Sequence, residues 1–169
     1  MKERFTTAEW AQLKRLPPLL FVFVALADGR LQPEEAQKFA AEIGDASRYR
    51  DPLLRELLFD LSSPREFQTA FEGVTGIAAT SADAIDREIA GSKALLKAKL
   101  SDEEYQRFFY SLIGIGKMVA DSAGEEKKGV FGSKKTAPGM SPEEAQSLSI
   151  LAVKFGVDLE AGKQATERL

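Results

Sequence analysis

The sequence contains no cysteine and no histidine. A disulfide framework and a zinc site built from thiolate or imidazole ligands are therefore excluded. Nucleophilic catalysis by a Cys–His pair or a Ser–His–Asp triad is excluded for the same reason. Any reaction catalysed by this chain would have to rely on carboxylates, lysine, tyrosine, serine or a bound hard cation.

Nucleotide-binding motifs and long apolar segments are also missing. The chain has no Gly-x-x-x-x-Gly-Lys sequence and no Gly-x-Gly-x-x-Gly after a strand. Its longest apolar run, residues 16–27, is shorter than the roughly 20 residues that cross a bilayer. Ala25-Leu26-Ala27 resembles a signal-peptide cleavage site, but the preceding segment carries Glu3 and Glu9 and has a helix pattern of its own. We therefore expect a buried helix here and a cytoplasmic protein.

Length and composition indicate one domain over residues 1–169. The hydrophobic fraction is 44%, and a chain of this length can bury a sizeable core. Strand patterns are almost absent, whereas helix starts and apolar residues at helical spacing are frequent. We predict an all-α fold, a single helical bundle of about seven or eight helices. The net charge of −3 gives no reason to expect a nucleic-acid partner.

Local signals predict where several helices begin and end. Segment 19–26 is apolar on all sides, which indicates a helix at the centre of the core. Gly156 is a helix stop signal, and Gly114 and Gly116 either weaken their helix or let another helix approach closely. We expect residues 158–169 to form a frayed terminal helix. Capping boxes predict three further helix starts, at Thr6 to Glu9, Ser63 to Glu66 and Ser101 to Glu104.

The phrase Pro-Glu-Glu-Ala-Gln occurs twice, at residues 33–37 and 142–146. Each copy opens a predicted helix, and each follows an apolar helix that ends in an Ala-Asp pair. The sequence therefore predicts two pseudo-symmetric halves, at about residues 17–62 and 101–157.

This arrangement resembles the TerB-like family, which includes the tellurite-resistance TerB proteins and the N-terminal domain of the DjlA co-chaperone. In the first half, Ala27-Asp28-Gly29 and then Pro33-Glu34-Glu35 follow a long apolar helix. The second half is similar, with Ala120-Asp121 followed by Ser141-Pro142-Glu143-Glu144. The resemblance covers roughly residues 17 to 157. It implies an all-helical fold with pseudo-two-fold halves, and an interaction module associated with tellurite or general stress resistance.

The resemblance further implies a divalent-cation site, for Ca²⁺ or Mg²⁺, at the acidic turns of the two halves. Hard cations prefer carboxylate oxygens, and crowded carboxylates repel one another unless a cation or protons intervene. The structural alternative is that Glu35 and Glu144, at the third helical position, close capping boxes. Glu34 and Glu143 are then the better metal candidates. The implied ligand set is Asp28, Glu34, Glu35, Asp121, Glu143 and Glu144.

Two other functions stay open on the sequence. One is a metal-dependent hydrolase that uses the same carboxylates, and the other is a metal-free structural domain that binds an unknown protein partner. We expect no enzymatic activity, because function must be argued from a site and the chain has neither histidine nor a nucleotide motif.

The segment 124–139 contains four lysines on either side of Val130-Phe131. This composition is compatible with peripheral contact with an anionic membrane surface. Glu125-Glu126 stand beside the lysines, however, and four lysines are few for such a role. A solvated loop is the favoured interpretation of this segment.

Overall fold

A computed structural model describes residues 1–25, 27, 33–123 and 140–168, with no description of the side chains of 82, 122 and 123. These residues contain no β-strand, so the prediction of an all-α bundle is confirmed. Short 3-10 turns lie at Lys2–Arg4 and Ala46–Arg48. The α-helices of the described part are α1 (Thr7–Leu13), α2 (Leu16–Ala25), α3 (Pro33–Gly44), α4 (Pro52–Leu61), α5 (Pro64–Thr80), α6 (Ala82–Lys99), α7 (Asp102–Ala123), α8 (Pro142–Phe155) and α9 (Leu159–Glu167).

The helix ends follow the local signals with one exception. The Thr6 amide donates to Glu9 Oε2 at 2.7 Å and the Ser101 amide to Glu104 Oε2 at 2.9 Å, which completes the capping boxes of α1 and α7. Gly156 ends α8 with φ at +67°. At Ser63 the predicted helix start is confirmed, since α5 begins at Pro64, but the capping box is not formed. The Ser63 side chain accepts no capping hydrogen bond, and Glu66 pairs with Lys14, which follows α1.

α2 lies at the centre of the core, as its apolar sequence predicts. Its residues from Leu16 to Phe21 are all buried, and Val24 is completely buried. The rings of Phe21 and Phe39 stack in parallel with their centroids 4.5 Å apart, which joins α2 to α3. An offset aromatic pair of this kind adds to the stabilisation that burial provides.

Two glycines on helix surfaces allow close helix packing. A Cβ on Gly116 would lie 2.7 Å from Leu148 Cδ2 and 2.9 Å from Leu20 Cδ2, so α2 and α8 both close on α7 at this glycine. A Cβ on Gly162 would lie 2.5 Å from Tyr110 Cβ, which shows how closely α9 approaches α7. The predicted terminal helix is therefore present, and it packs directly against α7. A Cβ on Gly114 would contact nothing within 4 Å.

The helix directions bring several helix ends together. α8 runs antiparallel to α7, because the Tyr105 hydroxyl near the start of α7 donates to the Phe155 carbonyl at the end of α8, at 2.5 Å. α2 runs parallel to α7, because the segment before it lies at the start of α7, where Arg4 pairs with Glu104 at 2.9 Å. The C-terminal ends of α2 and α7 and the N-terminal end of α8 therefore share one end of the bundle.

The segment after α3 runs beside α7. It passes from Arg48, whose Nη2 donates to Met118 Sδ at 3.4 Å, to Asp51, whose Oδ2 accepts from Arg107 Nε at 2.9 Å. This segment therefore follows α7 toward its N-terminus. We use the name acidic end for the helix ends that carry the described residues of the predicted cation site: the start of α3 with Glu34 and Glu35, the end of α7 with Asp121, and the start of α8 with Glu143 and Glu144.

Candidate functional site

The described members of the predicted cation site differ in their exposure. Glu35 and Glu144 are buried, with exposed fractions of 1% and 4%. Glu34 is half-buried, while Glu143 and Asp121 are exposed. Asp28 lies outside the described residues. Within the part of the chain that the structure describes, no three carboxylates form a group that could hold a metal ion. The six-residue ligand set stays a prediction.

Glu144 takes part in the start of its helix. Its Oε2 accepts a hydrogen bond from the Ser141 amide at 2.6 Å, and its own amide donates to Ser141 Oγ at 3.2 Å. These bonds satisfy two backbone donors at the helix start. The structural interpretation therefore accounts for the burial of Glu144 without a metal. It leaves Glu34 and Glu143 as the stronger metal candidates, since neither has a hydrogen bond or ion pair with another described residue.

Asp121 stands in an unfavourable electrostatic position. It lies in the last turn of α7, where the helix has no basic residue. The C-terminal end of a helix carries a partial negative charge, which repels a carboxylate and attracts a cation. The last turn of α2 also has no basic residue. The acidic end therefore combines the C-terminal ends of α2 and α7, with partial negative charge, and the N-terminal ends of α3 and α8, with partial positive charge, so that its carboxylates set the net charge.

A second candidate site is a cleft beside α7 and α9, with a volume of about 500 Å³. We call it the basic cleft. Three cationic side chains line it, Arg48 and Arg50 from the segment after α3 and Lys117 from α7. Tyr110, Met118 and Leu159 contribute apolar surface, and none of the described lining residues is acidic. The volume lies in the range of ligand-binding pockets.

A buried carboxylate, Glu42, binds two of the residues that line the basic cleft. Glu42 is completely buried, and its Oε2 accepts a hydrogen bond from the Tyr49 hydroxyl at 2.5 Å. Lys38 Nζ lies 2.9 Å from Glu42 Oε1, and Arg48 Nη1 lies 3.2 Å from Oε2. We call Lys38, Glu42, Arg48 and Tyr49 the Glu42 cluster. It fixes the Arg48 guanidinium at the edge of the cleft.

Contacts within the Glu42 cluster change the pKa values of Glu42 and Tyr49. Burial disfavours the charged form of Glu42, but hydrogen bonds from Lys38 and Tyr49, with the charges of Lys38 and Arg48, outweigh burial and lower the pKa of Glu42. Burial, followed by the Glu42 carboxylate, raises the pKa of Tyr49 above its ordinary value. Near neutral pH, Glu42 is therefore ionised and Tyr49 is a neutral donor.

The sequence analysis did not identify the basic cleft. Its cations come from two segments that are distant in the chain, and the apolar residue Leu159 comes from a third. Only the alternation Arg48-Tyr49-Arg50 is visible as a local signal, and three residues are too few to distinguish a binding site from a solvated turn.

A third concavity, near the N-terminus, has its charges paired. It has a volume of about 620 Å³ and is lined by residues of α1 and of the α4–α5 corner. Lys2 pairs with Asp60 at 2.6 Å, and Lys14 pairs with Glu66. The indole of Trp10, which is buried, donates to Asp60 Oδ2 at 2.8 Å. These contacts pair the charged side chains of this groove and tie the N-terminal segment to the α4–α5 corner.

No family model, curated protein or solved structure matches the chain. The TerB-like resemblance therefore rests on the residues quoted above. No described helix combines the length and the apolar character that a membrane crossing requires. The segment 124–139, for which a membrane contact was considered, lies outside the described residues.

Proposed function

We propose that the protein is a TerB-like interaction module of the cytoplasm, acting in a stress response, and that it binds a divalent cation at the acidic end. The observation that carries this proposal is the repeated acidic helix start. Glu34 and Glu143 occupy equivalent positions in the two Pro-Glu-Glu helices, and α7, which carries Asp121 in its last turn, packs against both helices.

The electrostatics of this end support the proposal. The carboxylates give this end its negative charge, and the C-terminal end of α7 adds to it beside Asp121, whereas the starts of α3 and α8 carry the opposite partial charge. Ca²⁺ and Mg²⁺ prefer this kind of oxygen-rich surface, and Ca²⁺ accepts carboxylates together with backbone carbonyls. Asp28, which follows α2 in the sequence, is the sixth carboxylate of the predicted set.

Calorimetric titration with CaCl₂ and with MgCl₂ tests the proposal, together with thermal unfolding in each salt. We expect heat of binding and a rise in Tm, since a ligand that binds only the folded state stabilises it by about 2.7 kcal/mol at a hundredfold excess over Kd. The combined variant Asp28→Asn, Glu34→Gln, Asp121→Asn, Glu143→Gln is expected to lose both effects.

A matched control removes the same number and kind of carboxylates elsewhere. Asp83→Asn, Asp102→Asn, Glu103→Gln and Glu167→Gln are all at exposed positions, and this control is expected to keep the heat and the Tm shift. If the wild type gives neither effect, the cation proposal fails. If both variants lose the effects equally, binding is a general response to net charge and the proposed site is wrong.

The metal-free alternative has one specific observation in its favour. The Ser141–Glu144 capping box uses a carboxylate of the predicted site for a purely structural purpose. In this alternative the acidic helix starts serve the helix dipole alone, and the domain binds its partner without a metal. The absence of heat in both titrations, with the wild type folded, would select it.

A further inference from the structure

We propose that the basic cleft binds an acidic, amphipathic segment of a partner protein. This inference goes beyond cation binding at the acidic end and does not depend on it. It names the chemistry of a partner and the surface that receives it.

The charges of the cleft give the first argument. Arg50 and Lys117 are exposed, and neither has an ion pair with another described residue. Arg48 is different, because Glu42 and Asp45 lie 3.2 Å and 3.9 Å from its Nη1 and neutralise part of its charge. Two largely uncompensated cations and one anchored cation thus face the same space, in a chain whose net charge is −3. Such a surface selects a partner of opposite charge.

The apolar part of the cleft decides between a peptide and a simple anion. Leu159 exposes 47% of its surface beside the cleft, and Ile113 and Met118 add apolar area to the lining. A phosphate ion would leave this surface in water, whereas a peptide side chain would cover it. Methionine adapts its shape to different apolar side chains and is common on peptide-binding surfaces.

The size and lining of the cleft limit what kind of segment can bind. A volume of about 500 Å³ accommodates a few side chains and not a folded domain. Tyr110 and Ser111 also line the cleft, and a hydroxyl of either type can donate to a carboxylate or a peptide carbonyl. We therefore expect apolar side chains of the segment to contact Met118 and Leu159, while its carboxylates pair with Arg50 and Lys117.

Selection from a phage-displayed library of random peptides of about a dozen residues tests this proposal. The full chain serves as the bait, and the most enriched peptide is then synthesised and titrated by fluorescence anisotropy. We expect enriched peptides to be acidic and to carry apolar residues. The variant Arg50→Glu, Lys117→Glu is expected to weaken binding of the synthetic peptide at least about tenfold, because both contacts become repulsive.

The control variant is Arg55→Glu, Arg87→Glu. It makes the same change in net charge at two exposed arginines that do not line the cleft, and it should bind the peptide as the wild type does. Circular dichroism establishes that both variants are folded. As a second readout, a synthetic peptide with every acidic residue replaced by lysine is expected to bind the cleft variant better than the wild type.

Three outcomes would overturn the proposal. Enrichment of peptides without an acidic excess would show that the charges do not select the partner. Equal loss of binding in the cleft variant and the control would show a general charge effect. Cleft-dependent binding of inorganic phosphate or of vesicles with anionic lipid, without any peptide binding, would assign the cleft to a different ligand.

Discussion

The two copies of Pro-Glu-Glu-Ala-Gln are followed by different residues, and one of the differences lies in the core, nine residues after the prolines. Glu42 occupies this position in α3, and Leu151 occupies it in α8. Both side chains are fully enclosed, with exposed fractions of 0% and 1%. Two core positions at the same distance from the repeated prolines thus hold a carboxylate in α3 and an apolar side chain in α8.

The difference follows from what comes next in the chain. After α3 the 3-10 turn Ala46–Arg48 brings Tyr49 and Arg48 back onto Glu42, so the buried carboxylate has partners. α8 instead ends at Gly156 and leads into α9. A carboxylate is tolerated in a core only where hydrogen bonds or opposite charges compensate for its desolvation. The position nine residues after the proline is therefore buried in both copies. Whether it can hold a charged side chain depends on the partners that the following residues supply.

The largest effect is expected for Leu151→Glu. This change puts a carboxylate in α8 where α3 has one, but without the tyrosine and arginine that stabilise Glu42. We expect a loss of at least about 4 kcal/mol in the free energy of unfolding, because an unpaired charge is buried. Urea denaturation followed by circular dichroism measures it. The control Val153→Glu lies on the same helix at a position that is 78% exposed, and we expect it to change stability by less than about 0.5 kcal/mol.

The reverse substitution, Glu42→Leu, makes α3 resemble α8 and is expected to cost less. Lys38 and Arg48 are partly exposed and can turn to water. The buried Tyr49 hydroxyl would lose its acceptor, at a cost of about 1–3 kcal/mol. Adding Tyr49→Phe should recover most of this loss, because no polar group is then left unsatisfied. Equal stabilities of the single and double variants would show that the Tyr49–Glu42 bond contributes little.

The fold was largely predictable because helix signals are local. Thr6, Ser101 and Gly156 specify helix ends through neighbours within three or four positions, and each prediction is confirmed. At Ser63 the helix start was predicted correctly but the capping box was not, since Glu66 pairs with Lys14, which is distant in sequence. The last helix was predicted, but its close packing was not, since that depends on Gly162 meeting Tyr110. Both features depend on tertiary contacts that no local pattern contains.

The candidate sites were less predictable because they too depend on contacts between residues that are distant in the sequence. The motif identified the acidic residues of each helix start, but it could not distinguish Glu144, which caps its helix, from Glu143, which faces solvent. The basic cleft depends on Arg50 and Lys117 lying on one surface, and this follows only from the packing of the segment after α3 against α7.

A smaller effect is expected at the start of the second copy. Ser141 precedes Pro142, whereas Gln32 precedes Pro33 in the first copy. Ser141→Ala removes the acceptor for the Glu144 amide and should lower the free energy of unfolding by about 1 kcal/mol. Glu143→Ala, which leaves the capping box intact, should change it by less than about 0.5 kcal/mol. Equal effects of the two variants would mean that the box does not stabilise α8.

The smallest effect is the acid dependence of the Glu42 cluster. The pKa of Glu42 is lower in the folded chain than its ordinary value of 4.5. Its contribution to stability is therefore complete above pH 4.5 and is lost as the pH falls through the folded-state pKa. The stability difference between the wild type and Glu42→Leu should be constant near neutral pH and should shrink in acid, by at most about 1.4 kcal/mol per pH unit.

Urea denaturation at a series of pH values measures this difference directly. The comparison isolates Glu42 because the carboxylates of Glu9, Asp60 and Glu104, whose pKa values are also lowered, titrate in both proteins. Val153→Ala changes no ionisable group, so its stability curve should stay parallel to that of the wild type. A Glu42→Leu curve that is equally parallel would mean that Glu42 has the same proton affinity in the folded and unfolded chains. The contrast between Glu42 and Leu151 would then be one of shape and not of charge.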